Sequence, residues 1–302
     1  MTKINVAPRG FAAGASITGL DLRKPLGPDD LAAVSAAWHK HLVLVFPDQN
    51  LSAPELIAFT AQLGDVERND NVPYYRDANY PEVLLVSNKP RDGKPSETRN
   101  TGRNWHADLT YTDRPAKGSV LMCKEKPAIG GDTMFANMYM AYDTLSPVLR
   151  NFVETLEAVH DITLIKGFER RDPAQITEMK RANPPIAHPV VRTHPDTGKK
   201  LLFVSERIRN FVGMTEEESR PLLQFLNEHA TAPEFVYRHQ WALNDVVMWD
   251  NRCTLHIALK DFDQRESRHM MRCSMRGEKS GYVIQPETQD GASLKSALAA
   301  VS

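Results

Sequence analysis

The second half of the chain consists of short apolar segments separated by turn residues, and this pattern limits the fold more than any other feature. Seven strand-like segments follow Gly118, and PDTGK at 195–199 is typical of a hairpin turn. Two helical stretches interrupt them: YMAYDTLSPVLRNFVETLEAV and TEEESRPLLQFLNEHA. Because each sheet must bury a face, the pattern predicts a β-sandwich or a jelly roll with buttressing helices. No change in composition marks a boundary, so we expect one domain over residues 1–302.

Two helix starts are marked by capping boxes, in which a hydroxyl residue and a glutamate three positions later satisfy each other's free N–H groups. Ser52 and Glu55 form one, and Gly64 is expected to end the helix that they open. Thr215 and Glu218 form the other. Both boxes precede amphipathic segments, so helices are expected after each of them.

Charge and composition exclude several classes of partner. Lys and Arg number 37 against 38 Asp and Glu, so the broad basic surface that nucleic acid or an anionic membrane requires is not expected. The longest aliphatic run, LVLVF, is far shorter than a membrane span, and the N-terminus lacks the apolar core of a signal peptide. The three cysteines form no CxxC motif, which favours a reducing compartment. We therefore expect a cytoplasmic protein.

Residues 64–104 differ from the rest of the chain. They are polar and rich in Pro, Gly and Asn, and they flank one short strand, VLLVS. Long loops of this kind are uncommon unless they are functional or disordered. Since the segment ends just before a candidate site, we expect it to act as a lid over a substrate.

That candidate site begins with His106 and Asp108 in NWHADLTY. In a strand, side chains two positions apart point to the same face, so two metal-capable groups are aimed at one spot. On its own the pair is better explained by an aspartate that hydrogen-bonds a nearby histidine or caps a turn. His256, 148 residues after Asp108, follows another apolar strand. Two histidines and one carboxylate suit a facial triad that holds Fe(II) with three positions open.

Two arginines follow on a further apolar strand. Arg268 and Arg272 are four residues apart in RHMMRCSMR, which places them on one face of an extended segment. Guanidinium groups are costly to bury without anions, and their planar fork is well suited to holding a carboxylate. The alternative is that both arginines face solvent or pair with acidic side chains of the protein.

These segments resemble a known family. WHADLTYTDRPAKGSVLMCKEKPAIGGDTMFANM, together with WDNRCTLHIALKDF and RHMMRC, is similar to the taurine / 2,4-dichlorophenoxyacetate dioxygenases, which are Fe(II)- and 2-oxoglutarate-dependent oxygenases. The motifs occur in the family's order, and the resemblance extends over nearly the whole chain. It implies an α+β fold, mainly β, with a double-stranded β-helix (jelly roll) core and buttressing helices.

The resemblance also implies roles for individual residues. His106, Asp108 and His256 match the family's iron ligands. Thr133, in GGDT, and Arg268 match the residues that hold 2-oxoglutarate. Arg272 matches a second arginine, which in taurine-type members binds the anionic group of the substrate. Tyr74 and Asn104 are further candidates for substrate binding, and no catalytic residue is expected beyond the metal ligands.

The activity implied is a coupled oxidation that uses Fe(II), 2-oxoglutarate and O2. A C–H bond of a small, anionic organic substrate (a carboxylate, a sulfonate or an N-substituted amino acid) is hydroxylated while 2-oxoglutarate becomes succinate and CO2. The partners expected are this small molecule and further copies of the chain, in a homo-oligomer; neither nucleic acid nor a membrane is expected.

Two other classes of function fit part of the pattern. Two histidines, one aspartate and a water also describe a catalytic zinc site, so a zinc-dependent hydrolase is one alternative. It would need a general base near the metal, and it gives the arginine pair no task. A non-catalytic binding protein on the same scaffold is the other alternative, because a fold alone does not determine a function.

Overall fold

The computed structural model describes residues 4–69, 75–90, 93 and 102–284. Strands predominate within them. The helices are α1 (Pro28–His41), α2 (Ala53–Ala61), α3 (Met138–Asp143), α4 (Pro147–Val153), α5 (Pro173–Ala182) and α6 (Glu216–Ala230). The strands are β1 (Asn5–Pro8), β2 (Ala15–Thr18), β3 (Val43–Phe46), β4 (Leu84–Ser87), β5 (Gly118–Glu125), β6 (Thr133–Asn137), β7 (Glu157–His160), β8 (Ile186–Pro189), β9 (Val191–Thr193), β10 (Lys200–Leu202), β11 (Ile208–Phe211), β12 (Val236–His239), β13 (Val246–Asp250), β14 (Thr254–Ala258), β15 (His269–Met275) and β16 (Tyr282–Val283).

The largest sheet has seven strands in the order β1-β2-β3-β13-β5-β15-β4. Its pairs are antiparallel except for β2 with β3. Alternate side chains of the central strands enter two different apolar clusters, as the period of a strand requires. Met122 and Met248 pack with α1 and α2 on one face, whereas Leu121 and Val247 face the other way, toward the smaller sheets.

The smaller sheets form the layer beyond that second face. One has three strands in the order β12-β6-β14, and another has four in the order β11-β7-β8-β16. Phe135 of β6 and Leu255 of β14 belong to the same buried cluster as Leu121 and Trp249 of the large sheet. The fold is therefore mainly β, with the helices set against sheets, and its core lies between the layers.

Both predicted capping boxes are present. The main-chain N–H of Ser52 donates to Glu55 at 2.7 Å, and that of Thr215 donates to Glu218 at 2.8 Å. The helix that Ser52 caps, α2, ends at Ala61. Gly64, three residues later, was predicted to end it. Helix ends fray, and this boundary is the least determined part of such a prediction.

The sequence pattern predicted one helical stretch over YMAYDTLSPVLRNFVETLEAV, and this prediction is wrong. The stretch forms α3, then α4, and its last residues begin β7. Ser146 caps α4 by accepting the N–H of Leu149, and Pro147 occupies the first turn. The residue before a proline disfavours helical backbone, so the chain breaks here. Glu157–His160 extends because β8 and β11 pair with it on both sides, which a local pattern cannot reveal.

The lid-like segment predicted over 64–104 falls partly outside the described residues, which omit 70–74, 91–92 and 94–101. Within it, the predicted strand VLLVS is confirmed as β4, at the edge of the large sheet beside β15. In the part of the chain that the structure describes, no helix is long and apolar enough to cross a membrane.

Gly118 offers a test of how tightly the layers pack. A Cβ added there would lie 2.6 Å from Trp38 Cζ2 and 2.8 Å from the carbonyl oxygen of Trp249. We expect Gly118→Ala to lower the free energy of unfolding by about 1–3 kcal/mol, because neither the buried indole nor the strand backbone can yield freely. Urea denaturation measures this.

Gly64→Ala is the control, since the atoms nearest to its added Cβ belong to Met275 at an ordinary 3.5 Å. It should change stability by less than about 1 kcal/mol. Equal effects of the two substitutions would contradict the packing argument.

Candidate metal centre

His256 comes together in the core with two side chains that lie about 150 residues earlier in the sequence. His106, Asp108 and His256 are all buried, and their potential ligand atoms lie within 4.8 Å of one another. The Nε2 atoms of the two histidines lie 3.8 Å and 3.9 Å from Oδ1 of Asp108. Three donor atoms converging at this spacing can hold one divalent cation.

Backbone hydrogen bonds align the two histidines. His106 donates its N–H to the carbonyl of His256 at 3.1 Å, and His256 donates to the carbonyl of His106 at 2.8 Å. The contact is an isolated antiparallel bridge at the edge of β14. The sequence pattern placed Asp108 in a strand, but it lies in the turn that follows the bridge. Its carboxylate still points toward both rings.

The third residue of the WDN sequence at 249–251 fixes that turn. Asn251 accepts the N–H of Asp108 at 2.8 Å and donates to the carbonyls of Asp108 and Ala116, both at 3.0 Å. The Asn251 side-chain amide thus satisfies main-chain N–H and C=O groups of the turn, as a neighbouring strand does in a sheet. The position of Asp108 therefore depends on a residue that directly follows β13.

Both histidines are held in the form that binds metals. Burial above all lowers the pKa of His106 well below its usual value, and burial lowers that of His256 to about 4. Nδ1 of His106 lies 2.8 Å from the carbonyl of Asn104, which only a protonated nitrogen can bond. The lone pair of His106 is therefore on Nε2, the atom that faces Asp108.

The carboxylate of Asp108 is ionised. Burial raises its pKa, but the positive charge of the Arg272 guanidinium, together with that of Arg207, outweighs burial and holds the pKa well below its usual range. Nη1 of Arg272 donates to Oδ1 at 2.9 Å, and the hydroxyl of Ser119 donates to Oδ2 at 2.9 Å. One negative charge and two neutral imidazoles make a donor set suited to Fe(II) or a similar cation.

Arg268 and Thr133 form a second polar group beside the triad. Arg268 directly precedes β15, and its Nε donates to the carbonyl of Gly131 at 2.8 Å while Nη2 lies 3.3 Å from the Thr133 hydroxyl. That hydroxyl also accepts the indole N–H of Trp241 at 3.1 Å. Burial lowers the pKa of Arg268 to about 10, and no carboxylate of the described residues lies within ion-pair distance. The group is prepared for an external anion.

The remaining predicted residues are placed as follows. Arg272 does not face solvent: its side chain is largely buried and pairs with Asp108. Asn104 is buried, and its main-chain carbonyl orients His106, but its side chain does not line the cavity around the triad. Tyr74 lies outside the described residues.

One cavity contains both polar groups. It is lined by the three metal-ligand candidates, Thr133, Arg268 and Arg272, and by apolar side chains that include Leu84, Val86, Leu121 and Trp249. Tyr75, Tyr111, Arg171 and Arg207 also line it. No sequence motif indicates a function for Tyr111 or for either of these two arginines. No motif marks Arg207; it stands in an ordinary alternating segment, SERIRNF.

Comparison with known proteins agrees with this geometry. The family model described as "Taurine catabolism dioxygenase TauD, TfdA family" matches residues 5–274. An alpha-ketoglutarate-dependent 2,4-dichlorophenoxyacetate dioxygenase of Cupriavidus pinatubonensis is 37% identical over 82% of this chain and 88% of its own length. An (S)-phenoxypropionate/alpha-ketoglutarate-dioxygenase of Delftia acidovorans is 32% identical over 96% of this chain and 99% of its own.

A solved structure is similar throughout. The crystal structure of AAD-2 in complex with Mn(II) and N-oxalylglycine is 34% identical and has a TM-score of 0.79, over 91% of this chain and 99% of that one. The likeness therefore covers the layers of the fold and not the metal-centre motifs alone.

The triad makes a direct prediction about metal affinity. His256→Ala should weaken Mn(II) binding to the apo-protein by more than about 100-fold because it removes a ligand, and Ser119→Ala by about 10- to 100-fold because it removes only a hydrogen bond to Asp108. Calorimetric titration measures both. His39→Ala, at a partly exposed histidine outside the cavity, is the control. Unchanged affinity in His256→Ala would contradict the assignment of the centre.

Proposed function

The chain belongs to the TauD/TfdA family of dioxygenases, and from this membership we propose that it hydroxylates a C–H bond of a small anionic organic molecule. The reaction uses Fe(II), 2-oxoglutarate and O2. One oxygen atom enters the C–H bond, and 2-oxoglutarate leaves as succinate and CO2. The observation that carries the proposal is a single cavity that contains both a three-residue metal centre and a buried arginine with no carboxylate partner among the described residues.

His106, Asp108 and His256 would hold the iron, and the fit is good because the donor set has one charge and two neutral imidazoles. Iron(II) held by these three side chains would remain open to 2-oxoglutarate and dioxygen, and it would supply the oxidising chemistry. The contribution of the chain is to keep Asp108 ionised and oriented through Arg272 and Ser119, and to keep Nε2 of His106 free of a proton. The reactive chemistry belongs to the metal and its co-substrate.

Arg268 and Thr133 would hold the distal carboxylate of 2-oxoglutarate. A guanidinium buried with only a carbonyl and a hydroxyl as partners is left without a counter-charge, and a carboxylate supplies one. Trp241 fixes the Thr133 hydroxyl by donating to it, which leaves the hydroxyl hydrogen available to an acceptor. The relatives' dependence on alpha-ketoglutarate supports this assignment.

The substrate would bind on the other side of the metal centre, against Arg272 and the apolar walls formed by Leu84, Val86 and Leu121. Arg272 already donates to Asp108, so a substrate anion beside it would also be linked to a metal ligand. The relatives' phenoxyacetate and phenoxypropionate substrates support an aromatic or aliphatic acid. The substrate-binding roles of Tyr74 and Asn104 stay predictions.

The alternatives from the sequence lose support. None of the relatives described above is a hydrolase or a non-catalytic protein. Among the described residues that line the cavity, Asp108 is the only carboxylate, so a zinc hydrolase would lack a general base beside the metal. Neither alternative uses Arg268.

Four finer features belong with the proposal. The seven-stranded sheet and the smaller sheets facing it are consistent with the two sides of a double-stranded β-helix. We propose that the chain forms one domain. The homo-oligomer and the cytoplasmic location stay predictions, which light scattering and cell fractionation test.

The reaction class is tested by anaerobic addition of 2-oxoglutarate to the Fe(II)-loaded protein. A weak visible charge-transfer band is expected in the wild type and not in His106→Ala. Succinate release in the presence of phenoxyacids should follow when O2 is admitted. If zinc supports turnover of an ester or amide and Fe(II) supports none, the hydrolase becomes the better description.

Arg268→Met should raise the Kd for 2-oxoglutarate by about 30-fold or more, since it removes one partner of a buried ion pair. Arg268→Lys should lose less affinity because the charge is kept but the fork is not. Calorimetry on the Mn(II)-loaded protein measures both, without turnover. Arg265→Met, which changes an exposed arginine three residues earlier, is the control; equal Kd values for the control and Arg268→Met would refute the assignment.

A further inference from the structure

Arg207 is the residue of the cavity that the proposed function leaves unexplained. It lies between β10 and β11, is 5% exposed and lines the cavity that contains the metal centre. Its main chain is held on both sides: its N–H donates to the hydroxyl of Ser205 at 3.2 Å, and its carbonyl accepts the N–H of Asp161 at 3.1 Å. The guanidinium therefore emerges from a fixed point on the wall.

The side chain of Arg207 has no partner among the residues that the structure describes. Its Nε is buried without a hydrogen bond, and no carboxylate lies within 4.0 Å of the guanidinium. The adjacent Glu206 is engaged elsewhere, since its carboxylate accepts the N–H of Trp105 at 3.2 Å. Asp108 is bonded to Arg272 and Ser119. Neither acidic group neutralises Arg207 by contact.

The other buried arginines of the described chain have partners. Arg252 donates to both carboxylate oxygens of Asp250, at 2.9 Å and 2.7 Å. Arg268 has the Gly131 carbonyl and the Thr133 hydroxyl, and 2-oxoglutarate under the proposed function. Because an unpaired buried cation is costly, Arg207 is best explained by an anion that enters the cavity from outside.

The charges of the assembled site indicate what that anion is. Iron(II), Asp108, the dianionic 2-oxoglutarate and Arg268 together carry no net charge. Arg207 and Arg272 then remain as two positive charges in a cavity whose other walls are largely apolar. Arg171, which also lines the cavity and donates to the Tyr75 hydroxyl, adds a third positive charge. With these three positive charges, a substrate with one negative charge would leave a net charge of about +2 in the cavity, whereas a dianion would leave about +1.

We propose that Arg207 is a second residue for binding the anionic groups of the substrate, and that the substrate is a dianion with two acidic groups. The proposal rests on the proposed function and narrows its substrate class. One acidic group pairs with Arg207, and the other lies beside Arg272. The C–H bond that reacts belongs to the carbon framework between or beside the two groups.

The test measures binding to the protein loaded with Mn(II) and 2-oxoglutarate, which does not turn over. Two matched pairs of acids serve as probes: phenoxyacetate with 4-carboxyphenoxyacetate, and 3-phenylpropionate with phenylsuccinate. In the wild type, at least one dianion should bind about 30-fold or more tightly than its monoanionic partner. If neither dianion binds more tightly than its partner, the proposal is overturned.

Arg207→Met and Arg207→Lys identify the residue responsible. Arg207→Met should abolish the preference for the dianion while leaving the affinity for the monoanion within about threefold, and Arg207→Lys should keep part of the preference. Arg209→Met is the matched control, because Arg209 is two residues away, pairs with Asp161 and does not line the cavity. An unchanged preference in Arg207→Met would refute the role of Arg207.

Thermal unfolding separates this role from a structural one. Since the guanidinium of Arg207 has no partner in the ligand-free protein, Arg207→Met should melt at the same temperature as the wild type or higher. A lower Tm would mean that the arginine stabilises the fold, and would overturn the proposal. The charge-transfer band with Fe(II) and 2-oxoglutarate should persist in Arg207→Met. If the wild type itself shows no band, the proposed function fails, and this outcome is distinct from a failure of the role of Arg207.

Discussion

The site depends on two backbone hydrogen bonds between His106 and His256. They join segments that are 150 residues apart in the sequence, and each fixes the main chain of one ligand against that of the other. The two rings lie 4.1 Å apart between centroids, tilted by 44°, and Asn251 holds the main chain of Asp108 beside them. A side chain on a flexible loop could not hold donor atoms at such spacing without a metal. Here the backbone does so in advance, and the imidazoles stay neutral because the same contacts bury them.

The large sheet connects this site to the stability of the fold. Its strands β5, β13 and β15 send alternate side chains to opposite faces. One set packs under α1 and α2, as Met271 and Cys273 do, and the other set lines the cavity or supports it, as Arg272 and Ser119 do. A shift of register by one residue would bury the arginine among methionines and expose the apolar set. The packing under the helices therefore also determines which charges face the metal centre.

Much of this arrangement could be predicted from the sequence, and the limits have physical causes. The capping boxes of Ser52 and Thr215 are local, and the structure contains both. The metal-ligand candidates and Arg268 belong to motifs with fixed residue types, so resemblance could point to them. Arg207 belongs to no motif, because whether an arginine is buried and unpaired depends on which distant segments surround it. The strand β7 was missed for a related reason: the extended backbone of Glu157–His160 is imposed by β8 and β11.

The charged side chains of the cavity favour anionic ligands, which apolar packing alone could not do. Arg207, Arg268 and Arg272 face one ionised carboxylate, that of Asp108. None of the three guanidinium groups has all of its N–H groups bonded within the described chain, and the three like charges repel one another. Binding of an anion would therefore relieve an unfavourable electrostatic free energy. Divalent metal alone would increase the repulsion, whereas a dianionic co-substrate would offset it. Metal and 2-oxoglutarate should therefore stabilise each other's binding, and the charges that remain then favour entry of an acidic substrate over a neutral molecule of the same shape.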